Sequence, residues 1–149
     1  MSYHHALAGR CSIEGQIYHI TVCTRHRRRL FDDWHAGRLV IGELRHLQEQ
    51  QQAQSLAWVL MPEHLHWLLQ LNEAASLAGL IHTFKGRSAR RVNHHLGRSG
   101  ACWQRGFHDH AIRQEEDLRQ IARYIIANPL RAGLVNRVGD YPLWDAIWI

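Results

Sequence analysis

Residues 55–71, "SLAWVLMPEHLHWLLQL", constrain the fold more than any other stretch of the chain. Two apolar runs flank Met61, Pro62 and Glu63, and proline lacks the N–H that a strand ladder needs, so the stretch reads as two strands joined by a turn. Strand side chains alternate between faces. After the turn, His64, His66, Leu68 and Gln70 therefore share one face, and Leu65, Trp67, Leu69 and Leu71 share the other. The second set belongs to the core. The first sets two imidazoles side by side near the hairpin end, within reach of one common ion. A divalent cation is the sharper reading and a pair of half-buried, hydrogen-bonded histidines the plainer one; the pair alone does not separate them.

The remaining elements follow from periodicity and caps. "QIYHITVCT", 16–24, has the β-branched and aromatic character of a strand. Asp32 or Asp33 can cap a helix in which Val40, Leu44 and Leu47 recur at helical spacing, through about residue 52. Ser76 caps a second helix with the stripe Leu77, Leu80, Ile81, Phe84, and Lys85, Arg87, Arg90 and Arg91 extend along its outer sides. "WQRGFHDHAIR" alternates as a strand, and Glu115, Glu116 and Asp117 supply negative charge for the start of a last helix. That helix buries Leu118, Ile121, Ala122 and Ile125, with Pro129 and Gly133 marking its end or a kink. The order β-α-β-β-α-β-α predicts an α+β fold: a ferredoxin-like or RRM-like antiparallel sheet with helices packed on one face and the other face open to a ligand. One domain is expected across 1–149, with 1–15 as a polar N-terminal arm and 138–149 as a tail that packs its tryptophans on the body.

Charge points to the partner. The basic residues are 17 Arg and one Lys, and the formal net charge is +5. Arginine's planar fork suits phosphate, although an arginine-rich chain can also reflect genomic base composition. Arg25, Arg27, Arg28 and Arg29 after the first strand, with Lys85, Arg87, Arg90 and Arg91, are the candidate DNA-backbone contacts. Trp103 and Phe107 could stack bases, but such residues more often belong to the core, and they stay unassigned. No apolar run approaches the roughly 18 residues of a membrane span, and the first residues lack a signal peptide's apolar segment. Cys11, Cys23 and Cys102 form no C-x-x-C pair, so a reducing cytoplasm is expected, with nucleoid association when DNA is bound. Tyr124 and Asn128 are four apart, on one side of the last helix at the margin of its buried stripe. Packing is the ordinary role of such a tyrosine. Beside a histidine-held cation, its phenol could instead attack phosphorus and form a covalent phosphotyrosine.

"WVLMPEHLHWLL", "WQRGFHDHAIR" and "ARYIIANPLRAGLV", in this order, resemble the single-tyrosine HUH transposases, in which two histidines flank one hydrophobic residue. The resemblance is closer to the REP-associated tyrosine transposases, whose tail "YPLWDAIW" also resembles, and it runs from about Gln16 to the C-terminus. It implies that His64, His66 and Asn128 hold Mg²⁺ or Mn²⁺ and that Tyr124 is the nucleophile. It further implies cleavage of single-stranded DNA beside a hairpin with short palindromic repeats, a 5′-phosphotyrosine, a free 3′-OH and rejoining by reverse attack. A monomer is favoured, with a homodimer as the alternative. Glu63 stands where that family often has Asn or Asp; it either finishes the turn or tunes the metal. His108 and His110 share a face of the fourth expected strand, as DNA contacts or ordinary polar residues. Two other readings stay open: a catalytically silent, sequence-specific nucleic-acid-binding module on the same fold, and a zinc hydrolase, which lacks a third ligand at the usual spacing.

Overall fold

The computed structural model describes residues 15–113 and 115–148. The expected N-terminal arm lies outside these residues except for Gly15.

β1 (Ile17–Cys23), β2 (Ala53–Leu60) and β3 (His64–Leu71) form the centre of an antiparallel sheet in the order β4-β1-β3-β2-β5, where β4 is His108–Ala111 and β5 is Trp144–Ala146. The first four strands have the ferredoxin-like order. β3 is central because its sequence is apolar on both faces for most of its length, and only a strand paired on both sides can bury that much. Its register sets Thr21 and Val59 opposite His66, and His19 and Ala57 opposite Leu68.

Two long helices cover one sheet face. α1 (Trp34–Glu49) starts where the Asp33 side chain accepts the Ala36 N–H, and α2 (Leu77–Leu96) where Ser76 Oγ accepts the Gly79 N–H. α2 ends at Gly97, whose φ of 63° is the left-handed conformation that glycine adopts without strain. Trp67 is fully buried between the helices and the sheet, with its ring 5.6 Å from Phe84 and its Nε1–H donated to Ser55 Oγ.

The opposite face is only partly open. α3 (Leu118–Ile126), capped by Asp117, packs against β2 and β5 and buries Leu118, Ala122, Ile125 and Ile126. A short α4 (Asn128–Arg131) follows directly. Leu68 lies on the histidine side of β3 and is nonetheless fully buried. The end of the face that carries His64 and His66 remains accessible, both residues being half-buried. β4 is shorter than the expected strand because the chain turns at Gly106 (φ 72°). Trp103 on the far side of that turn makes only an isolated bridge to Thr24, and its ring belongs to the helix-side core, 5.5 Å from both Phe31 and Phe84. The tail supplies β5, with Trp144 opposite Val59, and reaches α1 at Gly37, where a Cβ would lie 2.7 Å from Leu143 Cδ1.

Candidate active site

His64 and His66 project from the start of β3 onto one face, their ring centroids 4.8 Å apart and nearly perpendicular. Each ring is held at Nδ1. Glu63 Oε1 lies 2.7 Å from His64 Nδ1, while His19 Nε2 and Thr21 Oγ1 lie 3.0 and 3.2 Å from His66 Nδ1. Among the described residues neither Nε2 has a hydrogen-bond partner. Fixing Nδ1 orients an imidazole so that Nε2 can act as a ligand. Burial lowers the pKa of His64 and His19, and that of His66 falls to about 3, with His64, His19, Arg131 and Arg27 adding like charge to its desolvation. The pair is therefore neutral at physiological pH, the form that binds a cation without releasing a proton.

The same shifts set an acid limit on stability. An unfolded chain takes up protons on these imidazoles below about pH 6.5, and the folded chain resists down to about 3 at His66. Stability is therefore full above about pH 6.5 and falls as pH drops through that window. Thermal unfolding by circular dichroism is expected to show a midpoint that declines steadily from pH 7 to pH 4.5; a constant or rising midpoint would contradict the neutral assignment.

Tyr124 stands on α3, 60% exposed, over the same sheet face. It borders a cavity of about 760 Å³ that His19, His110, Gln120 and the acidic start of α3 also line. His19 thus touches both His66 and the tyrosine's cavity. The Arg131 guanidinium lies on the Tyr124 ring at 3.8 Å. Asn128 opens α4, half-buried, and the break at Ala127 means that the spacing of four no longer fixes it to Tyr124's side. Among the described residues no group of three or more His, Cys, Asp and Glu gathers as a cation site. Two neutral imidazoles with free Nε2 atoms fit a divalent cation whose remaining protein ligand is an amide, a set that leaves its charge undiminished. That composition also disfavours the zinc hydrolase reading.

The basic residues divide into two groups. Arg25–Arg27 form a 3₁₀ turn in which His26 and Arg27 both have positive φ, 58° and 53°. The buried Thr24 pins this turn to the histidine hairpin, its hydroxyl shared between Arg28 O and Glu63 O. Arg27 donates to Cys23 Sγ and its charge reaches both histidines. Arg25 and Arg28 are exposed, and Arg29 pairs with Asp32. On α2, by contrast, Lys85 donates to Gln104 O and Gly106 O, and Arg87 and Arg91 both bind Glu43 of α1, whose side chain is fully buried. Arg90 alone of that set has neither an ion-pair nor a side-chain hydrogen-bond partner among the described residues, and α2 lies across the sheet from the histidines. The double variant Arg87→Ala/Arg91→Ala strands a buried carboxylate and is expected to cost about 3 kcal/mol in urea unfolding. A loss near zero would show that the pair carries no structural load.

His110 Nε2 binds Glu116 Oε1 at 2.8 Å and sits beside His19 in the sheet, while His108 is exposed. His95 pairs with Asp33 and packs on His35, away from the site. Sequence reasoning missed His19, Thr21 and Arg131. His19 and Thr21 alternate along β1 and so share a face, but only the pairing register with β3 brings them to His66.

The family described as "Transposase IS200 like" matches residues 12–128. A REP-associated tyrosine transposase of Escherichia coli K12 is 34% identical over 86 residues, 58% of this chain and 50% of that protein. A Haemophilus influenzae protein, provisionally named a REP-associated tyrosine transposase, is 32% identical over 99 residues, 60% of this chain and 56% of that protein. The chain thus spans about half the length of the curated relatives it matches. Among solved structures, a REP-associated tyrosine transposase bound to a REP hairpin superposes with a TM-score of 0.71 at 27% identity, covering 89% of this chain and 77% of that one. A protein provisionally described as a transposase from Deinococcus radiodurans gives 0.58 at 26% identity, covering 76% and 92%. No helix among the described residues is long and apolar enough to cross a membrane. The matched span takes in the whole unit from β1 to the start of α4, and on that ground the chain belongs to the IS200-like transposase family.

Proposed function

We propose that this chain cuts and rejoins single-stranded DNA beside a hairpin, with Tyr124 as nucleophile and His64, His66 and Asn128 as the protein ligands of Mg²⁺ or Mn²⁺. One observation carries the reading: two neutral imidazoles with free Nε2 atoms share a sheet face with an exposed tyrosine, and arginines reach both. The similarity to a relative solved with a REP hairpin supports a hairpin DNA partner. When bound, the cation would offset negative charge on the scissile phosphate.

The chain's own residues supply the rest. The Tyr124 oxygen attacks phosphorus, the P–O3′ bond breaks, the phenolic proton passes to solvent and the departing 3′ oxygen takes one up. The product is a 5′-phosphotyrosine and a free 3′-OH. One phosphodiester replaces another, so the bond energy is retained and no ATP is required. Rejoining reverses the step, a 3′-OH attacking phosphorus and expelling the phenol. His19, Thr21 and Glu63 hold the two rings, and Arg25, Arg27 and Arg28 take the strand's phosphates beside them. The chain works as a monomer in this reading.

Incubation of the purified chain with a hairpin oligonucleotide and Mn²⁺ tests it. A label at the 3′ end of the DNA is expected to become detergent-resistant on the protein, while a 5′ label leaves on a fragment that a polymerase can extend. Tight binding with no cleavage across a broad panel of hairpins would instead establish the silent binding module.

A further inference from the structure

Arg131 lies three residues beyond Asn128 on α4, and its guanidinium carbon sits 3.8 Å from the centroid of the Tyr124 ring. A guanidinium laid on an aromatic face engages through its own face and keeps its in-plane N–H groups for other acceptors. Among the described residues those groups meet no carboxylate. Arg29, Arg87, Arg91, Arg113 and Arg137 all pair with carboxylates, whereas Arg131 makes no such pair among the described residues. Its charge also bears on His66, so it stands in electrostatic range of the phenol and of that histidine together. The helix that carries Tyr124 has Glu115, Glu116 and Asp117 before its start and Arg131 just past its end. An anionic phosphate beside Tyr124 is therefore repelled from one end and drawn to the other.

We infer that Arg131 is a catalytic residue: its in-plane N–H groups take the non-bridging oxygens of the scissile phosphate while its face holds the Tyr124 ring, presenting phosphorus and phenolic oxygen to each other. This rests on the phosphotyrosine reading above. No bond to Arg131 forms or breaks. It offsets the charge that grows on the non-bridging oxygens as the Tyr124 O–P bond forms and the P–O3′ bond breaks, the 3′ oxygen taking its proton from solvent. Lysine cannot do both, because an ammonium has no flat face to lay on the ring and no fork for two oxygens.

Single-turnover cleavage of a saturating hairpin oligonucleotide with Mn²⁺ tests this role. Arg131→Ala is expected to slow adduct formation by about 100-fold or more, the loss typical of one oxyanion donor, and Arg131→Lys by about tenfold. Hairpin affinity measured without metal should change by less than about threefold, since one phosphate contact among many is removed. The deciding readout is a hairpin with a methylphosphonate at the scissile position. With the ground-state anion gone and one of the two acceptor oxygens replaced by a methyl group, the wild-type advantage over Arg131→Ala should shrink to less than about fivefold. Cleavage by Arg131→Ala within about threefold of wild type on the ordinary substrate overturns the inference while leaving Tyr124's role intact. An undiminished deficit on the methylphosphonate also overturns it, assigning Arg131 to holding the ring alone. Absence of any adduct with the wild-type chain would remove the phosphotyrosine reading and this role with it.

Discussion

His66→Ala is expected to lower strand cleavage by about a thousandfold or more, equivalent to about 4 kcal/mol of transition-state stabilisation. His66 is the residue on which the site converges. His19 and Thr21 fix its Nδ1, its Nε2 is unengaged, and burial with four neighbouring positive or protonatable groups keeps it neutral. On the proposed reading, removing the ring removes a ligand and also releases His19, whose Nε2 it had engaged. The variant should bind hairpin DNA without metal about as well as wild type, because its side chain contributes nothing to phosphate neutralisation. Calorimetric titration with Mn²⁺ separates this loss from misfolding: wild type should show one site that His66→Ala lacks, at an unchanged far-UV spectrum. Cleavage within tenfold of wild type would remove the histidine pair from the chemistry.

Tyr124→Phe should be more severe, about 10⁴-fold or greater, since the nucleophilic atom itself is lost. Folding gives no competing explanation. Tyr124 is 60% exposed, and phenylalanine keeps the ring face on which Arg131 lies. The variant isolates one oxygen atom. It should bind hairpin and Mn²⁺ as wild type does, and a binding defect of comparable size would assign the residue to recognition instead.

The hairpin and its faces were legible because a proline between two apolar runs leaves few alternatives, and strand alternation then assigns each side chain. The cap at Ser76 was legible for a similar reason, and that of α1 to within Asp32 or Asp33: each is a short polar side chain at the point where an apolar helical stripe begins, whereas Asp117, read only as part of an acidic helix start, proves to be the cap of α3. What the sequence leaves open is which buried stripe meets which surface. The stripe Leu118, Ala122, Ile125 states that α3 is covered, and only its docking on β2 and β5 brings Tyr124 over the histidine face. Glu43 reads as one polar residue in α1 until α2 arrives with Arg87 and Arg91, which together hold it as an interhelical clamp. Pro129 and Gly133 read as the end of the last helix or a kink in it. Pro129 sits in the first turn of α4, directly after the break at Ala127, where proline is tolerated, and that extra turn returns Arg131 to the Tyr124 ring. Residues that meet through register or docking carry no local signature, and His19, Thr21 and Arg131 all belong to that class.

The central claim is that the Tyr124 oxygen becomes bonded to DNA phosphorus. Digesting the adduct with nuclease and protease and fragmenting the residual nucleotidyl peptide in a mass spectrometer reads that bond directly. The nucleotide is expected on Tyr124. A nucleotide on Tyr18 or Tyr141, or on a serine or histidine, would contradict it.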